Sequence, residues 1–445
     1  MVEHKPRRER KMTRTARIAA ALCVLGAISP PGQIAAQEIQ LAVSGRPSGA
    51  PEVRLVGFAA ESEVQVSFTR SAPDGVPPSF RSSARYRVDS SGSLNLASPP
   101  VVGDWTLAAP EAPFWTMRPD PSAPMLDPQV VLIEARAGAL SRSAEFRMPG
   151  AAGVTIEPVA DFAGAFLALP AAASEPLPLI IVLGGSGGDD RTARHVAPLL
   201  AAEGFAALGL PYVSPDRGDG QAIPGLPSVF SQIPVDRLEN VHRWALQDSR
   251  VDPEHIGLWG VSKGGEFAIL AAANYPWLDA VAAIVPSDVV WEGFSYASPA
   301  GTGTPSFALA GQPLPFVSYS APGRGRDVKE AGRRADPERA AAARIPIERF
   351  AGVLLVAGGE LDRSWDSAGM SQSIAERRAE AGLTTISMIF PDAAHDLDPT
   401  FLDPIEAGDG SAEAVGQAKL SVWNATVEMF RRVLGIGSAT GGSRR

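Results

Sequence analysis

Two rhythms of apolar and polar positions divide the chain. From Glu38 to about Gly150 the period is two: Val64, Val66 and Phe68 alternate with Gln65, Ser67 and Thr69. Asp74-Gly75 and Ser91-Gly92 supply turns, and no helical stretch is expected to interrupt the strands. This predicts a small antiparallel, immunoglobulin-like β-sandwich over 38–150. A Pro- and Ala-rich stretch over 151–178 is read as a linker and first strands. Beyond it the rhythm changes. Leu179–Leu183, Ala206–Leu210, Ile256–Val261, Ala280–Val285, Val353–Ala357 and Thr384–Phe390 are short apolar runs separated by helix-like segments. The last segment places Val415, Ala418, Val422, Ala425, Met429 and Val433 at helical spacing. Strands alternating with helices predict an α/β domain over 179–436, with a mostly parallel sheet covered on both faces. Trp291–Arg344, rich in Gly and Pro, breaks the alternation. It is expected as a lid over the carboxyl ends of the strands, with a plain surface loop as the alternative.

Within that α/β region, Gly260-Val-Ser262-Lys-Gly264 sits between an apolar run and a helix-like stretch, Glu266–Ala273. A G-x-S-x-G in that setting is a nucleophile elbow, a sharp turn that lifts a serine hydroxyl clear of its own backbone. Serine is a poor nucleophile near neutral pH and needs a base within hydrogen-bond reach. Of the five histidines (His4, His195, His242, His255, His395) only His395 follows the serine. It falls in a loop between the last strand and the last helix, in the Ser…Asp…His order of α/β-hydrolases. Asp362, where the run from Val353 meets a Gly turn, is the expected acid. Glu360 and Asp366 are its neighbouring rivals.

A second G-x-S-x-G, Gly184-Gly-Ser186-Gly-Gly188, also follows a strand. Its place after the first long strand suits an oxyanion loop. The expected donors are backbone N–H groups of Gly185 and Ser186, joined by that of Lys263 after the nucleophile. A phosphate-binding reading of this loop lacks the GK[ST] ending of a P-loop.

Composition narrows the class further. The chain has 445 residues and a formal charge of −9, with Lys and Arg scattered rather than striped, which argues against a nucleic-acid partner. Arg14 and Arg17 precede an apolar core, Ile18–Ile28, then Pro30-Pro31-Gly32 and a cleavage point after Ala36. This reads as a signal peptide over 1–36, with Met12 as an alternative start, and implies a periplasmic or secreted protein; the alternative is an unprocessed tail on a cytoplasmic one. The core is too short for a membrane span, so no stable anchor is expected. Those 36 residues carry seven Lys/Arg and two Asp/Glu, so their removal takes the charge to −14. Cys23 is the one cysteine and goes with them, removing disulfides, a Cys nucleophile and thiolate metal sites together. No cofactor or metal is expected.

Gly260-Val-Ser262-Lys-Gly-Gly-Glu266 resembles the elbow of the acyl-CoA thioesterase and bile acid-CoA:amino acid N-acyltransferase family. Ala84–Asp89 through Leu94–Leu96 resembles that family's N-terminal β-sandwich, and Leu183–Gly188 its oxyanion loop. Ile345–Glu348 resembles the approach to its acid strand, Asp362–Trp365 its acid motif and His395–Pro399 its histidine loop. The resemblance implies an acyl thioester substrate. Because the position holds Ser262 rather than cysteine, it also implies hydrolysis rather than amide formation. Export sits poorly with intracellular coenzyme A thioesters, so an exported carboxylesterase or amidase of the same fold is the alternative. N-acyl transfer, and a binding module without turnover, are further ones.

Overall fold

The computed structural model describes residues 37–435 apart from 44–47, 73–74, 151–152, 216–221, 324, 407 and 409. Segment 1–36, with the expected signal peptide, Met12 and Cys23, lies outside the described residues, as does Asp74 of one expected turn.

The apolar runs of the second region become one eight-stranded sheet. Its strands are β1 (Val154–Pro158), β2 (Phe166–Pro170), β3 (Leu177–Leu183), β4 (Ala206–Gly209), β5 (Val251–Val261), β6 (Ala280–Ile284), β7 (Val353–Gly359) and β8 (Thr385–Phe390). The spatial order is β1-β2-β4-β3-β5-β6-β7-β8. β1 and β2 form an antiparallel hairpin, β2 meets β4 antiparallel, and every later pairing is parallel. The fold is α/β, with a mixed, mostly parallel sheet. β3, β6 and β7 carry near-continuous Val, Ile, Leu and Ala because helices cover both faces. β5 starts at Val251, five residues before the apolar run, since Asp252, Glu254 and His255 give no hydrophobic signal there.

Before it lie two antiparallel sheets. One pairs Glu38–Val43, Pro51–Val56 and Leu94–Asn95; the other is built around Glu63–Arg70, Ser79–Arg87, Val130–Ala137 and Leu140–Arg147. Val64, Val66 and Phe68 point into the core as the alternation requires. Ser67, Thr69 and Arg70 are buried too, because the far end of that strand is covered on both faces. Arg70 reaches across to the Leu402 carbonyl at 2.6 Å and Asp403 Oδ1 at 2.9 Å. The expectation of an uninterrupted β region needs correcting. Ala112–Trp115 forms one helical turn, too short to produce a periodic signal. Its Trp115 indole donates to the Phe401 carbonyl at 2.8 Å, and a Cβ on Gly416 would lie 2.1 Å from the ring. These contacts bind the β region to the C-terminal helix (Ala412–Leu434) and to the loop that follows His395.

Residues 291–344 are not a plain loop. They fold into a hairpin (Glu292–Ser295 with Ser298–Pro305), short strands and two helices, Arg326–Ala335 and Pro337–Ala342. Trp291, Phe294, Phe307 and Val317 are buried, and Glu292 accepts from the backbone N–H groups of Gly303 and Tyr319.

Candidate active site

β5 ends at Val261, and Ser262 follows at φ 57°, ψ −119° before the helix Lys263–Asn274 begins. A side chain rarely adopts this conformation, and it costs on the order of 1–3 kcal/mol. Glycines make the turn possible. A Cβ on Gly260 would lie 2.2 Å from the Gly264 carbonyl oxygen, and one on Gly264 would lie 2.3 Å from that of Gly184. The Ser262 N–H donates to Ile284 at the end of β6 (2.8 Å), and its carbonyl accepts from Glu266 (2.9 Å).

The structure brings the three residues expected from sequence together. His395 Nε2 lies 2.8 Å from Ser262 Oγ, and His395 Nδ1 lies 2.7 Å from Asp362 Oδ2. Asp362 is fully buried in the turn after β7, where its Oδ1 accepts from the N–H groups of Ser364 (2.7 Å) and Trp365 (3.3 Å). Burial pushes its carboxyl up, but the His395 bond and charge, with help from Ser367 and Ser364, hold it below its ordinary value. The rivals are occupied elsewhere. Glu360 is exposed, while Asp366 caps the helix Ser367–Glu380 and pairs with Arg326 at 2.8 Å.

The remaining described histidines have other roles. His195 bonds the Pro399 carbonyl, His242 stacks on Trp277, and His255 bonds Asp252. The hydroxyl of Ser186, in the second G-x-S-x-G, bonds Tyr296 at 2.9 Å.

Gly185 lies against the nucleophile: a Cβ there would be 3.3 Å from Ser262 Cβ. Tyr212, buried after β4, donates to the carbonyls of both Gly184 (2.6 Å) and Gly185 (2.9 Å). Burial pushes its hydroxyl well up, so it remains a neutral donor. In a trans peptide the next N–H points opposite the carbonyl, so the N–H groups of Gly185 and Ser186 face away from Tyr212.

Lys263 contributes more than a backbone N–H. Its ammonium is buried against Glu266 Oε2 (2.5 Å) and Ser306 Oγ (2.7 Å), with the rings of Phe230 and Phe307 about 5 Å away. Glu266 Oε1 in turn accepts from the Trp291 N–H. Burial pushes the ammonium down and the carboxyl up, and each partner counters the other's shift. This pair ties the elbow helix to the insertion, which is the local reason for the Lys-Gly-Gly-Glu sequence. Trp365 meets the His395 ring edge-on at 5.5 Å and donates its indole N–H to Val285. Behind the histidine loop, Lys419 bridges Asp396 and Thr400 at 2.7 Å each. Sequence reading missed Tyr212 and Lys419, saw Lys263 only as a backbone donor, and had Trp365 only as the end of the acid motif.

Ser262 and His395 open into a cavity of about 530 Å³. It is lined by Gly185, Ser186 and Trp365 and, from the insertion, by Phe294, Tyr296, Tyr319 and Lys329. Among the described residues no group of three or more His, Cys, Asp or Glu could hold a metal ion, and no helix is long and apolar enough to cross a membrane.

Comparison with known families settles the lineage. Residues 50–135 match the family described as "Acyl-CoA thioester hydrolase/BAAT N-terminal region", and residues 233–435 match "BAAT / Acyl-CoA thioester hydrolase C terminal". The chain belongs to this family. Residues 163–299 also match the dienelactone hydrolase family. Acyl-coenzyme A thioesterase 1 of Rattus norvegicus is 28% identical over 388 residues, covering 80% of this chain and 87% of its own. Mitochondrial acyl-coenzyme A thioesterase 2 of Mus musculus is 28% identical, covering 80% of each chain. The peroxisomal succinyl-coenzyme A thioesterase of Mus musculus is 27% identical, covering 80% and 87%. The protein is thus an α/β-hydrolase of the acyl-CoA thioester hydrolase type.

Proposed function

We propose that the protein hydrolyses small-molecule acyl thioesters through an acyl-enzyme on Ser262. The supporting observation is the continuous relay from Ser262 Oγ through His395 to buried Asp362, at 2.8 and 2.7 Å, set on a positive-φ elbow. Asp362 accepts the Nδ1–H, which leaves Nε2 free to take the serine proton as Oγ attacks the acyl carbon. The oxyanion then accepts from the N–H groups of Lys263 and of Gly185 or Ser186. His395 returns the proton to the departing thiolate sulfur. It next deprotonates a water that attacks the ester carbon, and as the C–Oγ bond breaks it returns that proton to Ser262 Oγ, releasing the acid. A fluorophosphonate probe tests the reading: wild type should gain one covalent label, located on Ser262. Labelling that persists in Ser262→Ala, or is absent from wild type, would count against it.

The signal-like segment at 1–36 favours a second reading, in which the mature chain starts near Gln37 and acts outside the cytoplasm on esters or amides. Mass spectrometry of the N-terminus from the native host tests export, and an intact start at Met1 or Met12 would refute it. Acyl-CoA thioesters compared with aryl esters of equal chain length separate the two substrate classes.

A further inference from the structure

The helix Arg326–Ala335 of the insertion is unusual in how it docks. Its sequence, RDVKEAGRRA, offers no broad apolar face, and its buried residues are Lys329 and Gly332. A Cβ on Gly332 would lie 2.0 Å from the Ser318 carbonyl oxygen, so glycine permits close approach on one side. Beyond a bond from Ser320 to the Val328 carbonyl, the helix is held by cations at i, i+3 and i+7. Arg333 forms a two-pronged pair with buried Asp288, at 2.9 Å for each bond. Arg326 and Lys329 reach the turn that carries Asp362.

That turn is gripped by its carbonyls. The Arg326 guanidinium donates to Glu360 O at 3.0 Å and to Asp362 O at 3.4 Å. The Arg326 backbone N–H donates to Arg363 O at 2.7 Å, and Lys329 Nζ donates to Ser364 O at 2.9 Å. The Lys329 ammonium also lies 5.1 Å over the Trp365 ring, which itself meets His395. Four of the five carbonyls from 360 to 364 therefore accept from one helix. The Asp362 carboxylate is fixed to this same turn, its Oδ1 accepting from the Ser364 and Trp365 N–H groups, so a small rotation of the turn would swing Oδ2 away from Nδ1.

We infer that Arg326 and Lys329 are positioning residues that hold Asp362 in line with His395, so that the insertion completes the catalytic relay as well as walling the cavity. The inference rests on the reaction proposed above. A catalytic group displaced by about 1 Å loses roughly 100-fold in rate, which bounds the expected effect.

The test uses the full protein and p-nitrophenyl butyrate, with Arg326→Ala, Arg326→Lys and Lys329→Met made in wild type and in Asp362→Asn. Arg334→Gln, at an exposed position of the same helix, is the control. In wild type, Arg326→Ala should lower kcat roughly 10- to 100-fold with KM changed less than about threefold, Arg326→Lys should recover part of the loss, and Arg334→Gln should change nothing. On the Asp362→Asn background the same substitutions should cost less than about threefold, because residues that act through one group are not additive. If Arg326→Ala does not fold, as read by its thermal melt, Lys329→Met and Arg326→Lys carry the same comparison. Equal losses on both backgrounds, or kcat within about twofold of wild type for Arg326→Ala and Lys329→Met, would overturn the inference. Wild-type turnover in Ser262→Ala would overturn the proposed reaction instead.

Discussion

Replacing Asp362 by asparagine probes the relay with little change of shape. The amide oxygen can keep the two bonds that Oδ1 accepts from the N–H groups of Ser364 and Trp365, so the turn should persist. The amide nitrogen then faces His395 Nδ1 in place of Oδ2, which lies 2.7 Å from it. An N–H opposite Nδ1 forces that nitrogen to accept, which puts the imidazole proton on Nε2, opposite Ser262. The base is then in the wrong tautomer. In serine proteases with a Ser-His-Asp triad the same change lowers kcat about 10⁴-fold, or about 5.5 kcal/mol of barrier. A loss of that order is expected here with an activated aryl ester. Asp366→Asn keeps the helix cap, because an asparagine oxygen accepts there as well, and removes only the charge of a partly exposed pair with Arg326, worth at most about 1 kcal/mol of stability. Glu360→Gln changes an exposed side chain, and neither substitution should move kcat more than severalfold. A kcat for Asp362→Asn within tenfold of wild type, or equal losses at all three positions, would refute the assignment. Stability carries a matching signature. The Asp362 carboxyl is held below its ordinary value of about 4. Its contribution is therefore present above that value and is lost as pH falls through the depressed one. Melting temperatures should accordingly fall less steeply with acid in Asp362→Asn than in wild type.

Lys263→Met should destabilise the fold by about 3–5 kcal/mol by leaving buried Glu266 uncompensated, whereas Lys263→Met with Glu266→Leu should recover most of it; urea unfolding of the two variants decides. Tyr212→Phe removes the donor that orients the oxyanion loop, and should lower kcat roughly tenfold or more with little change in KM, as read by steady-state kinetics. Unchanged kcat would mean that glycine packing alone holds the loop.

The elements that sequence revealed are those whose cause is local. The parallel strands of the eight-stranded sheet carry apolar runs because both its faces are covered, and the elbow announces itself within five residues, where Gly260 crowds the Gly264 carbonyl, although Gly264 itself crowds the distant Gly184 carbonyl. His395 could be found by counting, since no other histidine follows the serine. The groups that escaped sequence reading are polar side chains buried by distant partners. Arg70 reaches residues more than 330 positions away, Tyr212 serves carbonyls nearly 30 residues upstream, and Arg326 serves a turn more than 30 residues downstream. Nothing in their flanking sequence distinguishes them from solvated charges or ordinary core aromatics. The helix Ala112–Trp115 was hidden for a different reason, because four residues cannot display a 3.6-residue period.

The central claim is that Ser262 cleaves acyl thioesters, and release of free coenzyme A from a short-chain acyl-CoA, followed with a thiol reagent, tests it most directly. The chain holds a single cysteine, so its own thiol background is at most one per molecule. Wild type should release thiol over many turnovers, and Ser262→Ala, with its fold intact by circular dichroism, should lose at least about 10³-fold of that rate. Thiol release by Ser262→Ala within tenfold of wild type, or none from wild type while it hydrolyses aryl esters of the same acyl chain, would contradict the claim.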